Sequence, residues 1–249
     1  MPIAHPHGHY HFLKGAAPFS GGVIADPGYE IVRVTLGQAT EWYHGFDYIH
    51  SHLSDLGLEL TALCALELRA PAPMTREEFR SFNASYRDQL SKSNLLVDEI
   101  NPIARTNVAP MYSPPATSEL YAFSYTSPTD DGDVPTFVIS GAADSREGKT
   151  AEERVICFGQ TDVESMRKKG AFVMSTVAQR LLDLGGTWDA VSNANLYSAH
   201  GVDGVIDDIL EELGPAAGRG TVWHYARPPL VDLELEVDVR AIRQELFTC

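Results

Sequence analysis

The chain repeats itself, and that narrows the folds open to it more than any other feature. The stretch Leu53-Ser-Asp-Leu-Gly-Leu-Glu-Leu-Thr-Ala-Leu63 returns as Leu181-Leu-Asp-Leu-Gly-Gly-Thr-Trp-Asp-Ala-Val191, an offset of 128 residues. The apolar register upstream survives the shift, with Phe46, Ile49, Leu53 and Leu56 falling on Met174, Val177, Leu181 and Leu184. That is helical spacing, and it stops at Gly57 and Gly185, where a helix end favours glycine. Farther on, Arg105-Thr-Asn-Val108 with Pro114-Pro115 matches Arg219-Gly-Thr-Val222 with Pro228-Pro229 at an offset of 114, which reads as a deletion of 14 residues in the second copy. A unit of about 110 to 125 residues is too long for a solenoid repeat and suits a duplicated domain. Function is therefore expected in paired sites and in the divergence between the copies.

The 34 acidic and 19 basic residues give a net charge of −15. Such a surface opposes sequence-independent nucleic-acid binding. No apolar run approaches roughly 18 residues, and no basic-then-apolar leader opens the chain, so neither a membrane span nor secretion is expected. Cys64, Cys157 and Cys249 form no CxxC pair and suit a reducing cytoplasm.

Periodicity and turn signals divide the chain into a His/Pro/Gly-rich segment (1–17), a first domain (18–127), a linker (128–134) and a second domain (135–249). In the first copy, strands are expected at 31–36, 60–68, 108–111 and 119–125, with helices at 41–56 and 75–90; Thr75 and Glu78 have capping-box spacing. In the second, strands are expected at 136–139, 188–197, 222–225 and 230–239, with helices at 161–184 and 203–213. Leu233, Leu235, Val237 and Val239 alternate with Glu234, Glu236 and Asp238, which reads as a half-buried strand with a polar face. Each copy is thus β-α-β-α-β-β, an α+β layer with helices on one face of a sheet.

In both halves this order resembles the RidA (YjgF) family of small α+β proteins, which have a chorismate-mutase-like fold. The second half carries it in Ile139-Ser-Gly141, Gln160, Leu184-Gly-Gly-Thr-Trp188, Asn195-Leu-Tyr197, Arg219-Gly-Thr-Val222 and Glu234-Leu-Glu-Val237. The first carries it in Pro18-Phe-Ser20, Leu36-Gly-Gln38, Leu56-Gly57, Phe79-Arg-Ser-Phe-Asn83 and Arg105-Thr-Asn-Val108. The resemblance implies a homotrimer with sites at domain or subunit interfaces, no cofactor, and hydrolysis of enamines or imines of 2-keto acids. It further implies that Arg105 and Arg219 grip a substrate carboxylate, that Glu234 positions water, and that Ser140 lines the pocket. Asn83 matches the family asparagine, Asn107 and Thr221 follow the arginines by two residues, and Phe19 stands for the usual tyrosine. The first copy has Leu120 and Leu36 where the second has Glu234 and Ser140. One wall of a composite pocket could therefore come from each copy.

The chemistry suits these residue types. An enamine carboxylate must tautomerise, accept water and expel ammonia; a planar arginine fork holds the carboxylate and a glutamate moves the proton. GxSxG, HExxH, P-loop and dinucleotide motifs are missing. Plainer readings stand beside these: Arg219 at a strand start, Glu234 on a solvated face, Ser140 at a tight strand end, Asn83 bracing a helix. His5, His7, His9 and His11 could gather on one side of an extended segment, as metal ligands, pocket or subunit contacts, or a solvated tail. His224 is a core histidine or a pocket acid. The expected activity is deamination of a 2-aminomuconate-like or 2-imino acid carboxylate. A non-catalytic carboxylate-binding trimer and a chorismatase-like hydrolase are the alternatives. The charged insertion at 144–153 has no assigned role at this level.

Overall fold

The computed structural model describes residues 1–15, 18–131, 134–146, 148 and 150–248. Gly132 and Asp133 of the expected linker, Glu147 and Lys149 of the insertion, and Cys249 lie outside the described residues.

The N-terminal segment forms β1 (Ile3–Ala4) and β2 (Tyr10–Leu13), and β3 (Gly22–Ala25), inside the expected first domain, joins them in the sheet of the second copy. The first copy follows as β4 (Tyr29–Glu41), α1 (Gly45–Asp55), β5 (Leu63–Arg69), α2 (Arg76–Lys92), β6 (Ala104–Pro110) and β7 (Glu119–Pro128). The second comprises β8 (Phe137–Ala143), α3 (Ala151–Arg154), α4 (Val163–Leu184), β9 (Asn193–Tyr197), α5 (Val205–Leu213), β10 (Val222–His224), β11 (Ala226–Arg227) and β12 (Glu236–Ala241); β13 (Gln244–Thr248) ends it. The result is a mixed α+β architecture of two sheets and, among the described residues, five α-helices.

Local signals explain the helices. Thr75 Oγ1 accepts from the Glu78 amide while the Glu78 carboxylate accepts from the Thr75 amide, closing a capping box on α2. Gly57 and Gly185 follow α1 and α4 with φ of 72° and 84°, a conformation in which a Cβ would be strained. Helix α1 starts at Gly45, not Glu41, because β4 runs on to Glu41 in pairing with Glu119.

One sheet has the order β11-β6-β5-β7-β4-β13, the other β1-β2-β3-β8-β12-β9-β10. The strands β6-β5-β7-β4 and β10-β9-β12-β8 repeat one arrangement. Each sheet is completed by strands from the far end of the chain: β3 pairs antiparallel with β8, and β13 parallel with β4. Helices α1 and α2 cover one face of the first sheet over Val34, Leu66 and Phe123, and α4 and α5 cover the second over Ile139, Leu196 and Val239. The opposite faces meet each other, joined by an apolar cluster of Tyr10, Phe12, Val23, Ile31, Cys64, Ala65 and Ala104.

That buried contact also holds charge. Arg33 grips Glu67 through two hydrogen bonds of 2.6 and 2.9 Å, and Arg240 reaches the same carboxylate from the other sheet. Although burial opposes it, Arg240 and Arg33 hold the Glu67 carboxyl well below the usual carboxylate range. Asp238 accepts from Thr106 across the interface (2.8 Å) and from Asn195 and Tyr197 within its own sheet (2.8 and 2.9 Å).

The expected strand 230–239 is shorter than its alternation suggests. β12 begins only at Glu236, because the preceding backbone is held by side chains: Arg227 donates to the Val231 and Leu233 carbonyls, and Asp144 accepts from the Glu234 and Leu235 amides. Its polar face is not solvated either. Glu236 and Asp238 are each only 3% exposed, since that face meets the other sheet. The expected strand 188–197 likewise opens with a 3-10 turn at Trp188–Ala190 and becomes β9 at Asn193.

Candidate functional site

Where β6 of one sheet meets β8 and β12 of the other lies a cavity of about 190 Å³ lined from both copies. Phe19, Phe79, Arg105 and Asn107 come from one side; Gly141, Thr176, Arg180, Leu233 and Glu236 come from the other.

Arg105 sits on β6 with only 4% of its surface exposed. Its Nη2 donates to Asn83 Oδ1 at 2.7 Å, and its guanidinium lies 4.7 Å from the centre of the Tyr86 ring and 5.3 Å from that of Phe19. Aromatic faces and one amide thus hold the fork in a single orientation. Its Nη1 is buried with no hydrogen-bond partner among the described residues, and neither amide atom of Asn107 beside it has one. Orphaned donors on a buried cation are costly unless a ligand accepts from them. Burial lowers the Arg105 pKa, and the guanidinium stays charged at neutral pH.

Glu236 opens β12 and is the acid of the cavity. Burial, then the adjacent Asp238 charge, push its pKa up to about 8, against the pull of Arg105, Arg180 and Arg69. It is therefore largely protonated at neutral pH. A Cβ at position 141 would fall inside the Glu236 carboxyl, so Gly141 is what lets this acid lie flat against β8. Arg180, from α4, donates through Nη1 to the Ser140 carbonyl (2.9 Å) and faces the same acid. An acid kept neutral beside a buried guanidinium can both donate and recover a proton.

The residues expected from the sequence divide into two groups. Phe19, Asn83, Arg105 and Asn107 come together here. Ser140 is fully buried next to the cavity: its hydroxyl donates to the Ser20 carbonyl (2.7 Å) and accepts from the Arg105 amide (3.1 Å), so it bolts β8 to the arginine strand. Glu234 lies apart, held by His200 (2.9 Å) and Arg227 (3.0 Å). Arg219 ends a 3-10 turn and donates to the Asp189 and Val191 carbonyls at 3.0 and 2.8 Å. Thr221 Oγ1 is buried without a hydrogen-bond partner among the described residues, away from the cavity lining.

Strand register explains the division. In the parallel pairs, Leu66 stands beside Arg105 and Asn195 beside Val222. Shifted by the 128-residue repeat, Leu66 corresponds to Ala194, whose neighbour in register is Thr221. The counterpart of Arg105 is thus Thr221, not Arg219. By the same pairing, Arg69 faces Glu119 as Tyr197 faces Glu236, which makes Glu119 the counterpart of Glu236. Thr35, not Leu36, answers Ser140, for Leu36 points into the helix-side core while Ser140 turns to the other sheet.

The histidines of the N-terminal segment find separate partners. His5 Nδ1 accepts from the Gly8 amide (2.7 Å), His9 stacks on Tyr29, and His11 bonds Asp26 (2.7 Å). Burial, then His7 and His9, lower the His5 pKa to about 4. His224 bonds Asn195 at 3.1 Å and stacks on Tyr197, outside the cavity. Among the described residues no three His, Cys, Asp or Glu side chains gather as a metal site, and no helix is long and apolar enough to cross a membrane.

Residues 2–246 match the model of a family described as 2-aminomuconate deaminase CnbZ. The chain belongs to that family. It is also 36% identical, over 96% of both chains, to a 2-amino-5-chloromuconate deaminase of Comamonas testosteroni. The protein is therefore an enzyme, a deaminase that acts on a C–N bond, which removes the non-catalytic alternative. Membership of the CnbZ family also corrects the assignment to RidA proper. A solved YjgF-family protein of Mycobacterium tuberculosis aligns over 43% of this chain and 79% of its own at 15% identity and a TM-score of 0.19, too low to argue from. A chorismatase structure covers 89% of this chain and 77% of its own at 12% identity and a TM-score of 0.51, a likeness of fold alone.

Proposed function

We propose that this CnbZ-family enzyme hydrolyses a 2-aminomuconate-like enamine carboxylate to the keto acid and ammonia, in one composite pocket made by two RidA-like units. The observation that carries this is Glu236, a buried acid with a pKa of about 8 in a cavity that also presents the unpartnered Nη1 of Arg105.

In this reading the substrate carboxylate accepts from Arg105 and Asn107, which satisfies their orphaned donors. Protonated Glu236 donates to an enamine carbon, and the enamine becomes an iminium conjugated to the carboxylate. Glu236, now ionised and drawn to Arg105 and Arg180, takes a proton from water as its oxygen bonds to the iminium carbon. Glu236 then passes that proton to the carbinolamine nitrogen, and as ammonia leaves and the C=O bond forms, Glu236 takes up the hydroxyl proton. One water is consumed and Glu236 ends protonated as it began, so the cycle balances with these groups alone. Asn83 and Ser140 act as positioning residues for Arg105, and Phe19 as the aromatic wall over its guanidinium. The homotrimer and the cytoplasmic location expected from the sequence belong to the same proposal.

Ammonia release and keto-acid formation would be measured with 2-aminomuconate and, separately, with short 2-imino acids generated in place by an amino-acid oxidase. Turnover of 2-aminomuconate that collapses in Glu236→Gln supports the reading. Ammonia release from neither substrate sinks it.

A further inference from the structure

The cavity has an antechamber. A cleft of about 480 Å³ shares Phe79, Ser145 and Leu230 with the inner cavity as lining, so the two are continuous. Its walls carry Arg76 and Arg80 from α2 and Arg146 and Arg154 from the segment between β8 and α3 and from α3 itself. With Arg105 and Arg180 inside, six of the chain's 19 basic residues line one path in a molecule of net charge −15. Among the described residues, Glu236 is the only carboxylate that lines either space.

The placement is built by both copies. Arg76, Phe79, Arg80 and Asn83 follow helical i, i+3, i+4, i+7 spacing and so share one face of α2, and Asn83 itself bonds Arg105. Ser145, Arg146, Gly148 and Arg154 supply the facing wall. Asp144 makes a fully buried ion pair with Lys169 of α4 (2.7 Å), and Arg154 donates to the Thr150 carbonyl.

We infer that this antechamber is a second carboxylate subsite, which selects extended dicarboxylates over monocarboxylates. The inference rests on the proposed function for the inner pocket. A carboxylate seated on Arg105 directs the rest of an extended six-carbon chain past Phe79 and Leu230, and its distal carboxylate arrives among the guanidinium groups of Arg76, Arg80, Arg146 and Arg154. Arginine forks at that position reward a second anion and leave a methyl end without partners. The 144–153 insertion, with Arg154 next to it, is then a specificity element of the second copy.

The test separates this subsite from the reaction by using probes that cannot react. Muconate carries two carboxylates and sorbate one, on the same six-carbon diene, and neither has an amino group. Calorimetric binding of both would be measured on the wild-type chain, on Arg80→Gln/Arg146→Gln and on Arg105→Ala. Both outer arginines are exposed, and thermal unfolding would verify that the double variant folds. The expected result is a muconate preference of about 10- to 100-fold in wild type, from one or two charge-assisted bonds. That preference should vanish in the double variant while sorbate binding stays within about threefold, and Arg105→Ala should weaken both probes. A wild-type chain with no muconate preference, or a double variant that keeps it, overturns the subsite. An enzyme that discriminates the probes but releases no ammonia sinks the proposed reaction and leaves the subsite standing.

Discussion

β6 and β10 hold the same place in the two copies, yet they have parted in chemistry. At the matching position β6 carries Arg105, buried among Phe19, Phe79 and Tyr86 with a free donor, whereas the second copy has Thr221. The acids show the reverse: Glu119 sits half exposed on β7, and its counterpart Glu236 is buried with a raised pKa. The cavity thus pairs a buried cation from one copy with a buried acid from the other. The matching pair, Thr221 and Glu119, has no cation, and Arg219 nearby ties a 3-10 turn to the loop before β9.

The sharpest way to break that contrast is to exchange the acids' roles. Glu236→Gln should lower kcat by about 10²- to 10⁴-fold, the usual worth of a positioned acid–base group, while Glu234→Gln, whose carboxylate serves His200 and Arg227, should stay within about threefold. Steady-state rates on the two variants decide it. Glu236 also makes stability depend on pH. Glu236 holds its proton in the folded chain up to about 8, and an unfolded glutamate releases it near 4.5. Between those values the folded state binds more protons, so its stability falls as pH rises, by at most about 1.4 kcal/mol per unit. Glu236→Gln should therefore be more heat-stable than wild type at pH 8, and the gap should shrink towards pH 5; equal melting profiles would contradict the buried neutral acid.

Next in size is the arginine pair. Arg105→Ala should cost about 10²- to 10³-fold in kcat/KM, the scale for removing a buried charged partner. Arg219→Ala should leave kcat/KM within about threefold, and lower the melting temperature only. Asn83→Ala removes the one side chain that orients Arg105 Nη2, and about a tenfold rise in KM with little change in kcat is expected. The smallest effect belongs to Ser140→Ala. It leaves the Ser20 carbonyl without its donor and the Arg105 amide without its acceptor, and should cost about 1–3 kcal/mol in chemical unfolding while most of the activity remains.

Much of the fold is legible in the amino-acid sequence itself. The capping box at Thr75 and Glu78, the glycine ends at Gly57 and Gly185, and the repeated strand–helix order are local signals, and they appear where the chain writes them. Arg105, Asn83, Phe19 and Asn107 are within reach of the sequence through the resemblance to the RidA family, whose motifs fall on these positions. Glu236 is not, since 234, 236 and 238 share one face of an alternating strand, and only register tells which of them meets the cavity. Arg219 misleads for a related reason. A motif match of arginine to arginine hides a two-residue slip that backbone pairing exposes. Arg180 leaves even less trace, one of four cations on α4, and it reaches the cavity only because α4 packs over β8.

The exchange of terminal strands has a consequence for how the molecule is made. During synthesis β4 to β7 emerge before anything in the second copy, yet their sheet lacks the edge strand β13 until residues 244–248 follow. The second sheet waits for nothing comparable, for β1 to β3 already exist when β8 appears. The half made first is the half finished last, and a chain cut short by a few codons at its end is damaged at the sheet that carries Arg105.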